Sequence, residues 1–170
     1  MWFDVPGFNI CHVANGWDEE DVDGNRSVVV VAPNVLSIEQ GFKRLDLFYG
    51  QMEMVRIDLD SGNTVTRKVL SRENLEFPVI NSTYVGKKNR YVYAAITDYV
   101  PRMTGVVKLD LEMAAKGGDV EQDCVVARRN WGAGCYGGEV FFVARDEEGR
   151  SNVEDDGYLV SYVHDESKNE

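Results

Sequence analysis

At 170 residues, with 44% hydrophobic and 11% aromatic residues, the chain can bury one substantial core, which excludes a disordered linker and makes a single domain the expectation. A formal net charge of −11, from 29 acidic against 18 basic residues, repels phosphate backbones and excludes nucleic acid as a natural partner, while a neutral apolar substrate stays open. Three cysteines, Cys11, Cys124 and Cys135, lack metal-type spacing and suit a reducing compartment rather than a disulfide framework.

In chain order, the opening Trp2-Phe3-Asp4-Val5-Pro6 favours burial from its first residues, an abrupt start expected of a piece cut from something longer. The acidic run Asp18-Glu19-Glu20-Asp21 reads as a solvated turn. Val28-Val29-Val30-Val31-Ala32, closed by Pro33, predicts a buried strand. The run to Pro33 is the longest apolar stretch, far below the roughly 20 residues that span a bilayer. Ser37 to Phe48 carries weak helical spacing. Val55-Arg56-Ile57-Asp58-Leu59 alternates as a strand, Asp60-Ser61-Gly62-Asn63 supplies a turn, and Thr64-Val65-Thr66 returns. Further strands are predicted at Tyr91 to Ile96, Val106 to Leu111, Val140 to Val143 and Tyr158 to Val163. Glu154-Asp155-Asp156 reads as a second solvated turn, and the Asn-x-Ser/Thr sequons at Asn25 and Asn81 read as coincidental.

Two of these strands repeat: the pattern starting at Val55 recurs at Val107, 52 residues on. A period near 50 residues with several short strands in each repeat predicts β-propeller blades, with a β-sandwich as the alternative. Two or three blades leave open edges, so the reading also predicts part of a larger ring.

Few residues offer chemistry. His12 and His164 are the only histidines; taken alone, His12 reads more readily as a hydrogen-bonded core residue than as a ligand and His164 as structural or exposed, and no His-x-x-x-His, Cys-x-x-Cys or nucleophile elbow accompanies them. Gly132-Ala133-Gly134-Cys135-Tyr136-Gly137-Gly138 precedes a strand, not a helix, so its glycines predict a tight turn or close backbone approach instead of a phosphate loop. Glu76, within Leu75-Glu76-Phe77-Pro78-Val79-Ile80, and Glu139, ahead of Val140-Phe141-Phe142-Val143, stand in apolar company. Either strand alternation points each outward, or each is buried and accepts a hydrogen bond, for which an imidazole N–H is a good donor.

The segments Trp2 to Asn9, His12 and Asn15 to Asp21 together resemble the plant carotenoid cleavage dioxygenases, of the retinal pigment epithelial membrane protein family. The likeness continues through Val55 to Leu59, Asn74 to Phe77, Ile80-Asn81, Tyr84 to Tyr91 and Thr104 to Asp110, then Cys135 to Glu139, Phe142 to Arg145, Asp155 to Tyr158 and Tyr162 to Glu166. Gly134-Cys135-Tyr136 and Phe141 to Arg145 look most like the carotenoid cleavage dioxygenase 4 type. The resemblance implies an all-β fold, about two to three blades of a seven-bladed propeller, with residues 1–170 a fragment of a single carotenoid oxygenase domain. It implies Fe(2+) held by four histidines, with His12 at the third position, and Glu76 and Glu139 at two of three glutamate positions that steady the imidazoles. By family position, Cys11 and Phe77 face a substrate tunnel. The implied reaction joins O2 to a carotenoid carbon–carbon double bond and gives carbonyl products, the electrons coming from the polyene, so no flavin, nicotinamide or 2-oxoglutarate is expected. A plastid location and peripheral membrane or lipid-body association of the full-length enzyme are implied as well. Gly16 stands where the family usually has Ala, and Val140 where it usually has Pro, which frees the backbone beside Glu139. The first two ligand histidines are expected upstream of Met1 and the fourth downstream of Glu170, so the chain alone is expected to be inactive; a non-catalytic propeller piece is the alternative.

Overall fold

The computed structural model describes residues 2–36, 38–41, 43–60, 65–98, 100–116, 123–145 and 153–170. The fold is all-β, as expected. Seven strands form one antiparallel meander: β1 (Asn15–Glu20), β2 (Arg26–Val35), β3 (Gly50–Asp58), β4 (Val65–Val79), β5 (Tyr91–Ile96), β6 (Gly105–Asp110) and β7 (Val125–Asn130). β4 divides the meander into two four-stranded units. Its first half pairs with β3 from Ile57↔Val65 to Glu53↔Val69; its second half pairs with β5 at Leu75↔Ile96 and Glu76↔Ala95. Between them the register slips, because β4 runs from Val69 to Asn74 while β3 moves only from Glu53 to Gln51. The slipped residues are not loose: Leu70 and Ser71 are buried, and the Leu70 carbonyl accepts from Cys124 N at 2.8 Å.

β3 and β6 are each the third strand of their unit, and the repeating Val55 and Val107 are both buried there. The repeat in the sequence is therefore a repeat of position in two successive blades, and the fold is part of a β-propeller. One core runs across both units, joining Trp17, Val29 and Met52 of the first to Leu75, Val92 and Leu109 of the second. Each such side chain contributes about 1.5–3 kcal/mol on burial.

Beyond β7 the chain forms a ribbon from β8 (Cys135–Gly137), β9 (Phe141–Ala144), β10 (Gly157–Val160) and β11 (Val163–Asp165), with β9 paired to β10 and β8 to β11. Val140 leaves this ribbon to pack against Tyr93 and Val106 of the second unit. The predicted Tyr158 to Val163 strand is thus two strands, broken where Gly138 N donates to the Tyr162 carbonyl at 2.9 Å. Gly137 permits the close approach expected of the glycine-rich stretch: a Cβ there would stand 2.4 Å from Trp131 Nε1.

Other expectations need correction. β6 stops at Asp110 rather than continuing through Leu111, because the Asp110 carboxylate accepts from Glu112 N at 3.0 Å and caps a short helix, α2 (Leu111–Lys116). The weak helical spacing of Ser37 to Phe48 yields only α1 (Ile38–Gly41) and a 3-10 turn at Leu45–Leu47; Ser37 and Phe42 lie outside the described residues. Ser61 to Thr64 of the predicted turn and return do so too.

Neither acidic run is merely solvated. Asp18, Glu19 and Glu20 belong to β1, and Glu19 accepts from Trp17 Nε1 at 3.1 Å and pairs with Lys88 at 2.8 Å and Arg56 at 2.5 Å. Burial opposes its ionisation, but hydrogen bonds from Lys88, Trp17 and Arg56 outweigh that and bring the carboxyl down to about 2. Glu154 accepts from the backbone of Arg90 at 2.8 Å and of Tyr91 at 2.6 Å, and Asp155 pairs with Lys108. This second run is a clasp that ties the loop ahead of β10 to β5 and β6. Asn81 is buried and donates to the Glu154 carbonyl at 2.9 Å, so its sequon is engaged in the fold. Among the described residues no helix is long and apolar enough to cross a membrane.

Candidate metal centre

His12 lies on a stretch without regular secondary structure, so its position has to be fixed by individual bonds. Upstream, a polar cluster built on the buried Asn34 and Glu53 does this. Arg67, on β4, donates to Glu53 Oε2 at 2.7 Å and to the carbonyls of Pro6 at 2.9 Å and Gly7 at 3.2 Å, and its guanidinium covers the Phe8 ring. Asn34, at the end of β2, donates to Glu53 Oε1 at 2.8 Å and to the Gly7 carbonyl at 3.1 Å, and accepts from Asn9 N at 2.9 Å. Downstream, Ala14 N donates to the Val31 carbonyl at 2.9 Å and β1 begins. The three side chains of the cluster were not singled out by the sequence. Their alliance depends on the register of β2, β3 and β4, and no local spacing encodes it.

Held at both ends, His12 meets Glu76. The imidazole Nδ1 stands 2.8 Å from Glu76 Oε2; half of the His12 side chain is open to solvent and Glu76 is 1% exposed. Of the two readings open for each glutamate, Glu76 takes the buried one. β3 lies close beneath it, and Gly50 makes that possible, since a Cβ at Gly50 would stand 2.4 Å from the Leu75 carbonyl oxygen. Glu76 Oε2 also accepts from Phe77 N at 2.5 Å. Phe77 has φ 51°, a left-handed conformation that costs a bulky residue about 1–3 kcal/mol, and its ring lies 4.8 Å from that of His12.

Glu139 takes the outward reading. Val140 turns into the core ahead of β9, and Glu139 beside it is exposed. His164 is exposed on β11, opposite Tyr136.

Beside the His12–Glu76 pair is a cavity of about 250 Å³. Val35, Ile38, Leu45, Phe48, Val100 and Met103 give it apolar walls, and Cys11, His12, Glu76 and Phe77 are among the other residues that line it. Partial burial, and then the Glu76 carboxylate, raise the Cys11 thiol above its ordinary range, so it stays protonated.

The chemistry of this pair follows from donor counting. An ionised carboxylate can only accept, so His12 Nδ1 carries the proton in the bond to Glu76, and a neutral ring then leaves its Nε2 lone pair free. That is the arrangement in which a histidine binds a metal, with the carboxylate fixing tautomer and ring orientation. Nitrogen of this kind suits ferrous iron. Among the described residues no three His, Cys, Asp or Glu side chains gather to hold an ion.

The sequence pattern of the family described as retinal pigment epithelial membrane protein matches residues 1–170. The chain is 52% identical over 169 residues to the zeaxanthin 7,8(7′,8′)-cleavage dioxygenase, chromoplastic, of Crocus sativus, covering 99% of this chain and 43% of that protein. It is 54% identical over 165 residues to the probable carotenoid cleavage dioxygenase 4, chloroplastic, of Arabidopsis thaliana, covering 97% of this chain and 26% of that protein. Rice 9-cis-epoxycarotenoid dioxygenase NCED1 follows at 50% over 169 residues, 99% of this chain and 25% of that protein, so the margin between the two types is small. The chain thus spans less than half the length of these relatives. Among solved structures, cobalt-substituted Synechocystis ACO superposes with a TM-score of 0.75 over 98% of this chain and 33% of that one, at 22% identity, which speaks to the fold. Matched end to end by the family pattern and about half identical to these three plant proteins, the chain belongs to the retinal pigment epithelial membrane protein family.

Proposed function

We propose that this chain is part of an Fe(II)- and O2-dependent dioxygenase that cleaves a carotenoid carbon–carbon double bond, and that residues 1–170 form part of a single propeller domain. In this reading His12 Nε2 is one of the iron's nitrogen ligands, and the remaining ligands come from outside these residues. The observation that carries the reading is the 2.8 Å contact of His12 Nδ1 with a buried carboxylate at the edge of an apolar cavity. Burying Glu76 among carbon walls is costly unless donors compensate it, and the His12 imidazole and the Phe77 N–H both stand at its Oε2. Bound iron supplies the redox chemistry by which both atoms of O2 are joined to the two alkene carbons, giving two carbonyl products.

The residues of this chain do the rest. Glu76 keeps the proton on Nδ1 and the ring in one orientation. The apolar walls, Cys11 and Phe77 among them, exclude water and receive a polyene by burial of its apolar surface. Glu139 steadies another imidazole, supplied from elsewhere in the whole protein. Its relatives' names carry the words chloroplastic and chromoplastic, and we place this protein in the plastid as well. Peripheral association with a membrane or lipid body gives the whole enzyme access to an insoluble substrate.

The test uses the chain continued to the length of its relatives. His12→Ala should abolish both iron retention and the formation of apocarotenoid, read by metal analysis and chromatography. Glu76→Gln, which keeps the shape and loses the charge, should weaken metal retention roughly 10–100-fold. Parental iron content in both variants would end the assignment. The 170-residue chain by itself should hold no iron through gel filtration, because one imidazole does not compete with water and buffer.

A further inference from the structure

The cavity beside His12 takes much of its wall from two stretches outside the sheet. Ile38, Leu45 and Phe48 belong to the connection between β2 and β3, and Thr97, Val100 and Met103 to the one between β5 and β6. The ladder of a sheet does not hold such stretches apart, so side chains must. Asn74 stands between them, at the point where β4 leaves β3 opposite Gln51 and takes up β5 at Leu75. Its Nδ2 donates to the Phe48 carbonyl at 2.8 Å and to the Thr97 carbonyl at 3.0 Å. Its Oδ1 accepts from Gly50 N at 2.8 Å and lies 3.1 Å from the buried Thr97 hydroxyl. The Asn74 main-chain carbonyl accepts from Thr97 N at 2.9 Å. Both amide protons and the amide oxygen are thus engaged, and the partners fix which way the carboxamide faces: carbonyls meet the nitrogen and a peptide N–H meets the oxygen. A rigid planar group bonded in this way holds the Phe48 and Thr97 main chains at one separation.

We propose that Asn74 is a positioning residue whose carboxamide clamps these two wall segments together and keeps the cavity preformed for an apolar polyene. The choice of a polyene rests on the dioxygenase reading, but the clamp is tested by binding, without iron or turnover. A cavity with unpinned walls is competent in only a fraction of the molecules, and its apparent affinity falls by that fraction.

The experiment titrates the chain continued to the length of its relatives with all-trans-retinol, a neutral fluorescent polyene. Asn74→Asp keeps the shape and the acceptor but sets an oxygen against both carbonyls, and should raise the retinol Kd at least about tenfold. If that variant does not fold, Asn74→Ser carries the test: uncharged and too short to bridge the two carbonyls, it should raise Kd at least about threefold. Val107→Ala opens a hole in the core on β6, away from the cavity, and should lower Tm while leaving Kd at the parental value. That control separates the clamp from a general loss of stability. A parental Kd in the Asn74 variant, an equal rise in Val107→Ala, or no retinol binding by the parent would overturn the proposal. The dioxygenase reading is judged apart: a parent that binds retinol but, loaded with Fe(II) under O2, cleaves no carotenoid ends that reading and leaves the clamp standing.

Discussion

Glu76 costs the fold several kcal/mol in desolvation if left ionised and alone, and the residues around it are arranged to offset that cost. The apolar run Leu75 to Ile80 made the acid conspicuous in the sequence, as the company of His12 did not: a lone histidine beside Phe8 and Ile10 suits a core residue better than a ligand. Phe77 was legible as a neighbour, but its positive φ was not, because nothing in Glu-Phe-Pro asks for a left-handed residue. Asn34 was illegible for a different reason. It closes a strand of valines, and only the register of β2 with β3 brings it to Glu53 and the Gly7 carbonyl. Asn34→Ala should remove three hydrogen bonds from a buried site and cost about 3 kcal/mol, or roughly 6–12 °C in Tm, measured by thermal unfolding. A shift under a degree would mean the cluster does not hold the His12 segment.

At the level of elements, strands were the legible part. Period-two alternation and β-branched runs located β2, β3, β5 and β6, since half-buried pleated strands need that spacing. What the pattern missed were elements set by polar contacts across sequence. The clasp at Glu154 and Asp155 is an example: as a run of charges it reads as solvent-facing, yet its partners, the backbone at Arg90 and Tyr91 and the side chain of Lys108, lie far away in the chain. Glu154→Ala should free those two amides, and their hydrogen exchange should accelerate about tenfold or more, read by NMR. Unchanged protection there would sink the clasp. Glu19 gives the β1 edge a pH dependence. Its folded carboxyl is depressed to about 2, so its stabilising contacts are fully present above the unfolded carboxylate range near 4.5 and are lost as pH falls from there toward 2. Acid titration of Glu19→Gln should accordingly show a shallower loss of stability over that window than the parent, and parallel curves would contradict the assignment.

On the scale of the whole molecule, two meander units and a ribbon reproduce the blade rhythm that the 52-residue repeat foretold, and β4, shared between the units, carries Glu76 to the histidine of the preceding segment. The site thus joins two blades rather than belonging to one. Phe141, Val143, Tyr158 and Val160 of the ribbon are exposed, in contrast to Val140, which is packed against the second unit. Among the described residues no three His, Cys, Asp or Glu side chains gather to hold an ion, and Glu139 is exposed. Both facts are consistent with a site completed by the rest of a ring whose members this chain matches over 43% of their length or less. The most direct measurement is a crystal structure, with metal, of the chain continued to the length of its relatives. His12 Nε2 should be bonded to the ion while Nδ1 stays on Glu76. An ion bound elsewhere, with the His12 ring turned from it, would contradict the account.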